Sequence, residues 1–307
     1  MDDSQKLAPT GVSAPEVPWS AMPERRPWSW PGGSSLAVAV LLHVDFVPLA
    51  HPGLPLGASV VHRGPYPQHV DVHEVTPHEY GNRVGIFRIM DRLAQHGLNG
   101  SAAVDTTVAR YYPAVVSRLG EQEWSVLGHG RTGAVVQSEV VSEDAERELI
   151  RENLEVLEQA FGRRPRGWAG VEYGESTRTG RLLAEAGVEY LCGRPNDEQP
   201  FELGNGLTSV PVAIHLDDIF AGRLRKIDAT AHADSVIEAM RVLEAEANAS
   251  PRLLVLGVRP WFTGQPFRTK QFERILTALD ASSAWVARLD DVVDHYRQAT
   301  QGRGAQA

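Results

Sequence analysis

From residue 36 to residue 296, short apolar runs alternate with amphipathic stretches, and this alternation limits the fold more than any other feature. The apolar runs fall at 36–46, 101–104, 124–127, 167–171, 188–192, 207–214, 253–258 and 285–287. Between them, 81–95, 106–119, 142–161, 177–186, 233–247, 269–279 and 289–296 carry the helical spacing of apolar residues. Strands that alternate with helices form parallel sheets with crossover helices. The run 36–46 is apolar almost throughout, as a strand covered on both faces must be. The number and length of the repeats predict an α/β fold, a distorted (β/α) barrel of seven or eight parallel strands. No GxGxxG or Walker loop follows any strand, so a nucleotide-binding doubly wound sheet is disfavoured.

One domain is expected over 21–298, with disordered tails at 1–20 and 299–307. Trp19, Trp28 and Trp30 predict that the arm at 17–33 lies against the body, because tryptophan buries a large area. Residues 47–79 read as a long loop holding His51, His62, His69, His73 and His78. A loop of that length suits a lid. The His69/His73 spacing has meaning only on a helix, and the nearby proline and valines speak against one.

In a barrel, the strand C-termini form a single mouth. The ends carry Asp45, Asp105, His129, Glu172, Arg194, Asp217 and Arg259. His43 and Asp45, two apart on a strand, point to one face. A carboxylate at the end of a buried strand is costly unless paired, metal-bound or open to a cavity. His129 stands between Gly128 and Gly130, where a sharp turn lets a ligand approach. Its ordinary pKa near neutrality makes it the natural titrating group of such a mouth.

The net charge of −9 argues against a nucleic-acid surface, which needs a basic stripe. No apolar run reaches the roughly 18 residues of a membrane-spanning helix, and no secretory signal is read at the start, so the cytoplasm is the expected compartment. The single cysteine, Cys192, rules out an internal disulfide and a cysteine-rich zinc site, and reads as a buried apolar residue.

Seven segments occur in one order: His43-Val44-Asp45; Tyr80 to Gly85; Gly128-His129-Gly130; Arg164 to Trp168; Asn196 to Pro200; Val210 to Asp218; and Arg259 to Arg268. Over roughly 25–298 this set resembles the polysaccharide deacetylase (NodB-homology) family. It is most similar to the branch with deacetylase-type allantoinases and cyclic imide hydrolases. The resemblance implies a distorted barrel and hydrolysis of a linear or cyclic amide. In metal-dependent members an aspartate and two histidines four apart hold a divalent cation, and a carboxylate and a distal histidine serve as base and acid. Here Asp45 and His129 match the first two ligands, but Gly133 stands at the second histidine position and Arg259 at the distal one. Gly193-Arg194 replaces an Asp-Trp pair.

These departures make His129, Asp45, Glu172 and Asp218 the expected catalytic groups. Arg259, Arg194, His43, Asp217 and Trp261 become the expected substrate contacts. No tightly bound cofactor is expected, with Zn2+ or another divalent cation on Asp45 and His129 left open. The expected partner is a small, anionic or amide substrate, with a homo-oligomer left open. Three functions remain: a hydrolase of a non-peptide C–N bond, a repurposed barrel catalysing a non-hydrolytic step such as elimination or isomerisation, and a non-catalytic binding protein.

Overall fold

The computed structural model describes residues 10–11, 14–48, 72–247 and 250–301. His51, His62, His69 and most of the expected lid lie outside the described residues, as do 1–9, 12–13 and 302–307 of the expected tails.

The first barrel strand, β1 (Leu36–Val44), is buried along its whole length. Its two faces pack differently. Leu36, Val38, Val40, Leu42 and Val44 join the core beneath the helices. Ala37, Ala39 and Leu41 join a second core with Ala103, Leu127, Ala169, Tyr190 and Val210, the barrel interior. The parallel strands β2 (Ser101–Val104), β3 (Ser125–Gly128), β4 (Gly167–Trp168) and β5 (Tyr190–Cys192) follow in order. β6 (Phe201–Glu202) turns back as an antiparallel edge on β7 (Thr208–Val210), an element the alternation did not predict. β8 (Arg252–Val258) flanks β1, so the order is β8-β1-β2-β3-β4-β5-β7-β6. β9 (Trp285–Val286) pairs with Ala37 and Val38 of β1.

The ladder does not close between β7 and β8. β7 ends at Val210 because Pro211 has no N–H to continue it. Two single backbone bonds span the gap, from Ala213 N–H to Val255 and from Leu253 N–H to Glu198. The far end of the barrel is plugged by Tyr190, Trp30 and the helix α10 (Leu289–Gln301). The Tyr190 hydroxyl donates to Asp290 there at 2.8 Å.

The helix segment before the first expected helix is longer than its sequence suggests. α1 (Val72–Tyr80) holds Pro77 and runs through a π turn, Gly81–Gly85, into α2 (Ile86–Gln95). A Cβ at residue 85 would lie 2.1 Å from the Pro260 carbonyl oxygen, so only glycine lets this junction press against the 260–264 backbone. That contact overrides the poor local propensity. The expected helix at 106–119 is two, α3 (Thr106–Tyr111) and α4 (Pro113–Glu121). Tyr112, which precedes a proline, leaves helical geometry at φ −120° and ψ 66°. α5 (Glu143–Phe161) is capped by the Ser142 side chain, and Gly162 ends it at φ 69°. α6 (Thr179–Glu185), α7 (Ala229–Glu246), α8 (Pro260–Thr263) and α9 (Pro266–Asp280) complete the outer layer.

In the N-terminal arm, Thr10–Gly11 pairs with Ala14–Pro18. Trp30 is buried, and its indole donates to the Arg252 carbonyl at 2.7 Å. Trp28 packs edge-on against it, whereas Trp19 is exposed. Cys192 is buried in the barrel, and burial pushes its thiol pKa up.

His96, at the end of α2, holds α9 through Asp280 at 2.5 Å and Glu273 at 2.9 Å. Those carboxylates raise its pKa above the usual 6.5, so the folded state binds the proton more tightly than the unfolded one. This contribution is complete below about pH 6.5 and fades as pH rises through the raised folded-state pKa. In urea unfolding, the stability difference between wild type and His96→Gln is expected to shrink from pH 6 towards alkaline pH. A difference that stays constant or grows would count against the ion pairs.

Candidate active site

The inward row of β1 continues past Leu41 to His43 and then Asp45, so one strand delivers both to the mouth. His43, Asp45, His78, Gly133, Val171, Glu172, Arg259 and Trp261 line one small cavity there. Asp105, another strand-end acid, is not part of it. Its carboxylate caps α3 through the Val108 N–H at 2.7 Å and takes the Phe46 N–H at 2.6 Å. Burial raises the Asp105 pKa well above the usual range despite these bonds. Its role is to pin the chain immediately after Asp45.

The Asp217/Asp218 pair and Arg259 form one buried cluster. One guanidinium nitrogen of Arg259 reaches both Asp217 oxygens, at 2.6 and 2.7 Å, and Asp218 at 3.2 Å. The Arg259 N–H and the Thr263 hydroxyl also donate to Asp218, at 2.7 and 2.6 Å. Burial and the adjacent Asp217 push the Asp218 pKa up to about 6, against the pull of Arg259. Asp217 and Asp218 therefore hold Arg259 in place. The other terminal nitrogen of Arg259, Nη2, has no hydrogen-bond partner among the described residues.

Asp217 also accepts from the Tyr173 hydroxyl at 2.8 Å, and that hydroxyl lies 3.0 Å from Nε2 of His43. Because the hydroxyl proton goes to Asp217, the tyrosine oxygen accepts from His43, which places the His43 proton on Nε2. Nδ1 of His43 is left with a lone pair and no partner. Glu172 and Tyr173, both non-glycine, sit in the left-handed region at φ 52° and 58°. Backbone strain of that kind costs roughly 1–3 kcal/mol per residue and is held by its surroundings. Here the Tyr173 hydrogen bonds hold it.

His129 is fully buried and does not line the cavity. It packs edge-on against His43 with ring centroids 5.2 Å apart. Its Nδ1 faces the Ala169 carbonyl at 2.5 Å, and a carbonyl only accepts, so Nδ1 carries the proton. Nε2 is an unpartnered lone pair. Burial lowers the pKa of both histidines, with Arg259 acting in the same direction, and Asp45 partly opposes this at His129. Asn153, absent from the sequence reading, fixes the glycine-flanked turn. Its side chain accepts from the His129 N–H at 3.0 Å and donates to the Gly130 carbonyl at 2.8 Å.

Asp45 meets His78, whose Nδ1 lies 3.3 Å from its carboxylate. Burial alone would raise the Asp45 pKa, but the His78 hydrogen bond and charge, with His129 and Arg259, hold it below the usual range. Asn82, four residues after His78 on the same side of the chain, donates to the Asp45 carbonyl at 2.8 Å. The His78 ring stacks on Trp261 at 4.4 Å. In the sequence, His78 falls among the histidines of the expected loop at 47–79. The usable signal was its i, i+4 spacing to Asn82 within the Tyr80–Gly85 segment.

Arg194 is not on the cavity wall. It makes a two-pronged pair with Glu175, at 3.1 and 2.9 Å. Of the two expected arginine anchors, only Arg259 reaches the cavity. Glu172 and Trp261 do line it.

The divalent cation implied by the resemblance does not fit these side chains. Among the described residues, no three His, Cys, Asp or Glu side chains are arranged to hold a metal ion. A Cβ at residue 133 would lie 2.9 Å from the Asp45 carboxyl carbon and 3.1 Å from its Oδ2. Asp45 thus fills the space of any side chain at that position, and His78 occupies its carboxylate. Arg259 adds a fixed positive charge to the same corner.

No family model matches the chain, and no curated protein matches it. Solved structures do. A protein from Pseudomonas aeruginosa PAO1, described as a probable polysaccharide deacetylase, superposes with a TM-score of 0.79 at 20% identity over 88% of this chain and 94% of its own. The PuuE allantoinase gives 0.78 at 20% identity, over 88% and 93%. A Mycobacterium smegmatis protein assigned to the polysaccharide deacetylases gives 0.74 at 23% identity, over 89% and 94%. The fold is that of these deacetylase-like barrels, as the ordered segments led us to expect.

Proposed function

We propose that this chain hydrolyses a non-peptide C–N bond in a small amide, imide or N-acyl compound. One arrangement carries the reading. Within one buried corner stand an ionised Asp45, the neutral His43 on the cavity wall with His129 packed against it, and the unpartnered Nη2 of Arg259. Arg259 lines the cavity, and its guanidinium is held rigidly by Asp217 and Asp218. An oriented cationic donor of this kind stabilises a developing oxyanion without reorganisation. The neutral imidazole pair, His43 on the cavity wall and His129 packed against it, takes a proton from water. The water oxygen then bonds to the carbonyl carbon, the C–N bond breaks, and the imidazolium returns the proton to the departing nitrogen. The nearby charge of Asp45 favours the imidazolium between these two steps. No step runs through a metal, because the side chains do not fit one. The likeness in fold to an allantoinase and to deacetylases supports the choice of substrate class.

Purified protein is expected to turn over at least one member of a panel of N-acyl amines, ureides and five-membered cyclic imides, with one oxygen from labelled water entering the product. Absence of turnover across the panel, with and without added zinc, would remove the reading. Turnover without label would favour a proton-transfer step such as isomerisation or elimination. Two adjacent neutral histidines with unpartnered ring nitrogens also suit that chemistry.

A further inference from the structure

We infer that His78 is the positioning residue of Asp45, and that it commits this carboxylate to the acid–base corner by holding it over Gly133, away from service as a cation ligand. The inference deepens the reading above, since it concerns the same site, but its test needs no substrate.

The observations are geometric. His78 comes from α1, and the carboxylate that it holds comes from the residue that follows β1. α1 is locked where it must be to do this. The π turn that follows it presses Gly81 and Gly85 against Trp261 and Pro260, so closely that a Cβ on either would overlap those residues. Asn82 of the same turn anchors the Asp45 main chain. The Trp261 ring packs against the His78 ring, tilted by 34°. Asp45 is therefore gripped at its carbonyl and at its carboxylate by one rigid segment. Its carboxyl carbon then lies within 2.9 Å of where a Cβ of residue 133 would be. Glycine at 133 and histidine at 78 are thus two halves of one arrangement. The first vacates the space, and the second fixes the carboxylate in it.

Zinc alone serves as the probe, in calorimetric titrations of the full chain. His78→Phe keeps an aromatic ring on Trp261 and removes the donor. His78→Asn keeps a donor at the position of Nδ1. Wild type and Gly133→His are expected to bind no zinc that depends on Asp45, because His78 still holds the carboxylate. The double variant His78→Phe/Gly133→His is expected to bind one zinc at least tenfold more tightly than Gly133→His, and to lose it when Asp45→Ala is added. His78→Asn/Gly133→His should behave as Gly133→His does.

Equal zinc affinity in Gly133→His and the double variant, whether both bind or neither does, would overturn the inference. So would stoichiometric, Asp45-dependent zinc in wild type. A crystal structure of the single variant His78→Phe provides a second measurement that needs no substitution at 133. The Asp45 carboxylate is expected to leave the space over Gly133, and its remaining there would likewise overturn the inference. Failure of the amide panel leaves all these outcomes readable, so the two ideas fall separately.

Discussion

Replacing Arg259 by methionine is expected to destabilise the fold by about 3–5 kcal/mol, the range for removing one partner of a buried ion pair. Asp217 and Asp218 are only 1% and 2% exposed, and Arg259 is the cation that both of them bond. Without it two carboxylates share a dry corner, and the low local dielectric makes the charges expensive. The loss should depend on pH with a definite sign. Asp218 already has its pKa raised to about 6 in the native state, above its unfolded value. Removing Arg259 removes the influence that lowers it, so the variant's folded state takes up protons at still higher pH. A group whose folded pKa is raised gains stability as pH falls through that pKa. The penalty measured by urea unfolding should therefore be largest near pH 8 and smaller near pH 5. The triple variant Asp217→Asn/Asp218→Asn/Arg259→Met should regain much of the loss, because it buries no unpaired charge. A single variant as stable as wild type at pH 8 would mean that the cluster is not the support of the mouth that its geometry indicates.

That cluster also marks the limit of the sequence reading. The positions of Asp217, Asp218 and Arg259 at the mouth followed from the period of the apolar runs, since strand ends in a barrel converge. Their mutual pairing did not, because residues some 40 positions apart are brought together by the return of β8 beside β1. The same reason separates Arg194 from the cavity. It sits at a strand end as expected, but Glu175, from the segment after β4, claims it. His43 and Asp45 were legible through the two-residue period of one strand. His78 was not, because the helix carrying it contains Pro77 and has little amphipathic pattern of its own. It forms because Gly85 lets its continuation lock onto the 260–264 backbone, a tertiary effect that no local rule contains. The ladder stays open for a reason present in the sequence. Pro211 lies within the expected strand at 207–214, and a missing N–H ends the pairing there.

The second large effect is expected at the histidine with which the glycine-flanked turn is built. His129→Asn is expected to lower kcat by about 10²–10⁴ on whichever amide the chain accepts, the usual contribution of a positioned general base. KM should change little. Asparagine is the informative choice because its amide nitrogen takes the place of Nδ1 and keeps the bond to the Ala169 carbonyl. What it removes is the Nε2 lone pair. The backbone should not shift, because Asn153 holds the main chain at His129 and Gly130 independently of the imidazole, and bonds the Val104 carbonyl at 3.2 Å as well. An unchanged melting temperature with activity lost would locate the effect in the lone pair. If His129→Asn retained more than a tenth of wild-type kcat, His129 would be a wall of the barrel. The base would then have to be sought at Nδ1 of His43, the other buried ring nitrogen in contact with the same corner. The two histidines make opposite demands on their neighbours, which gives the experiment a control. Tyr173→Phe removes the acceptor that fixes the His43 tautomer and leaves the Ala169 bond of His129 intact. Under the assignment made here, it should cost far less activity than His129→Asn.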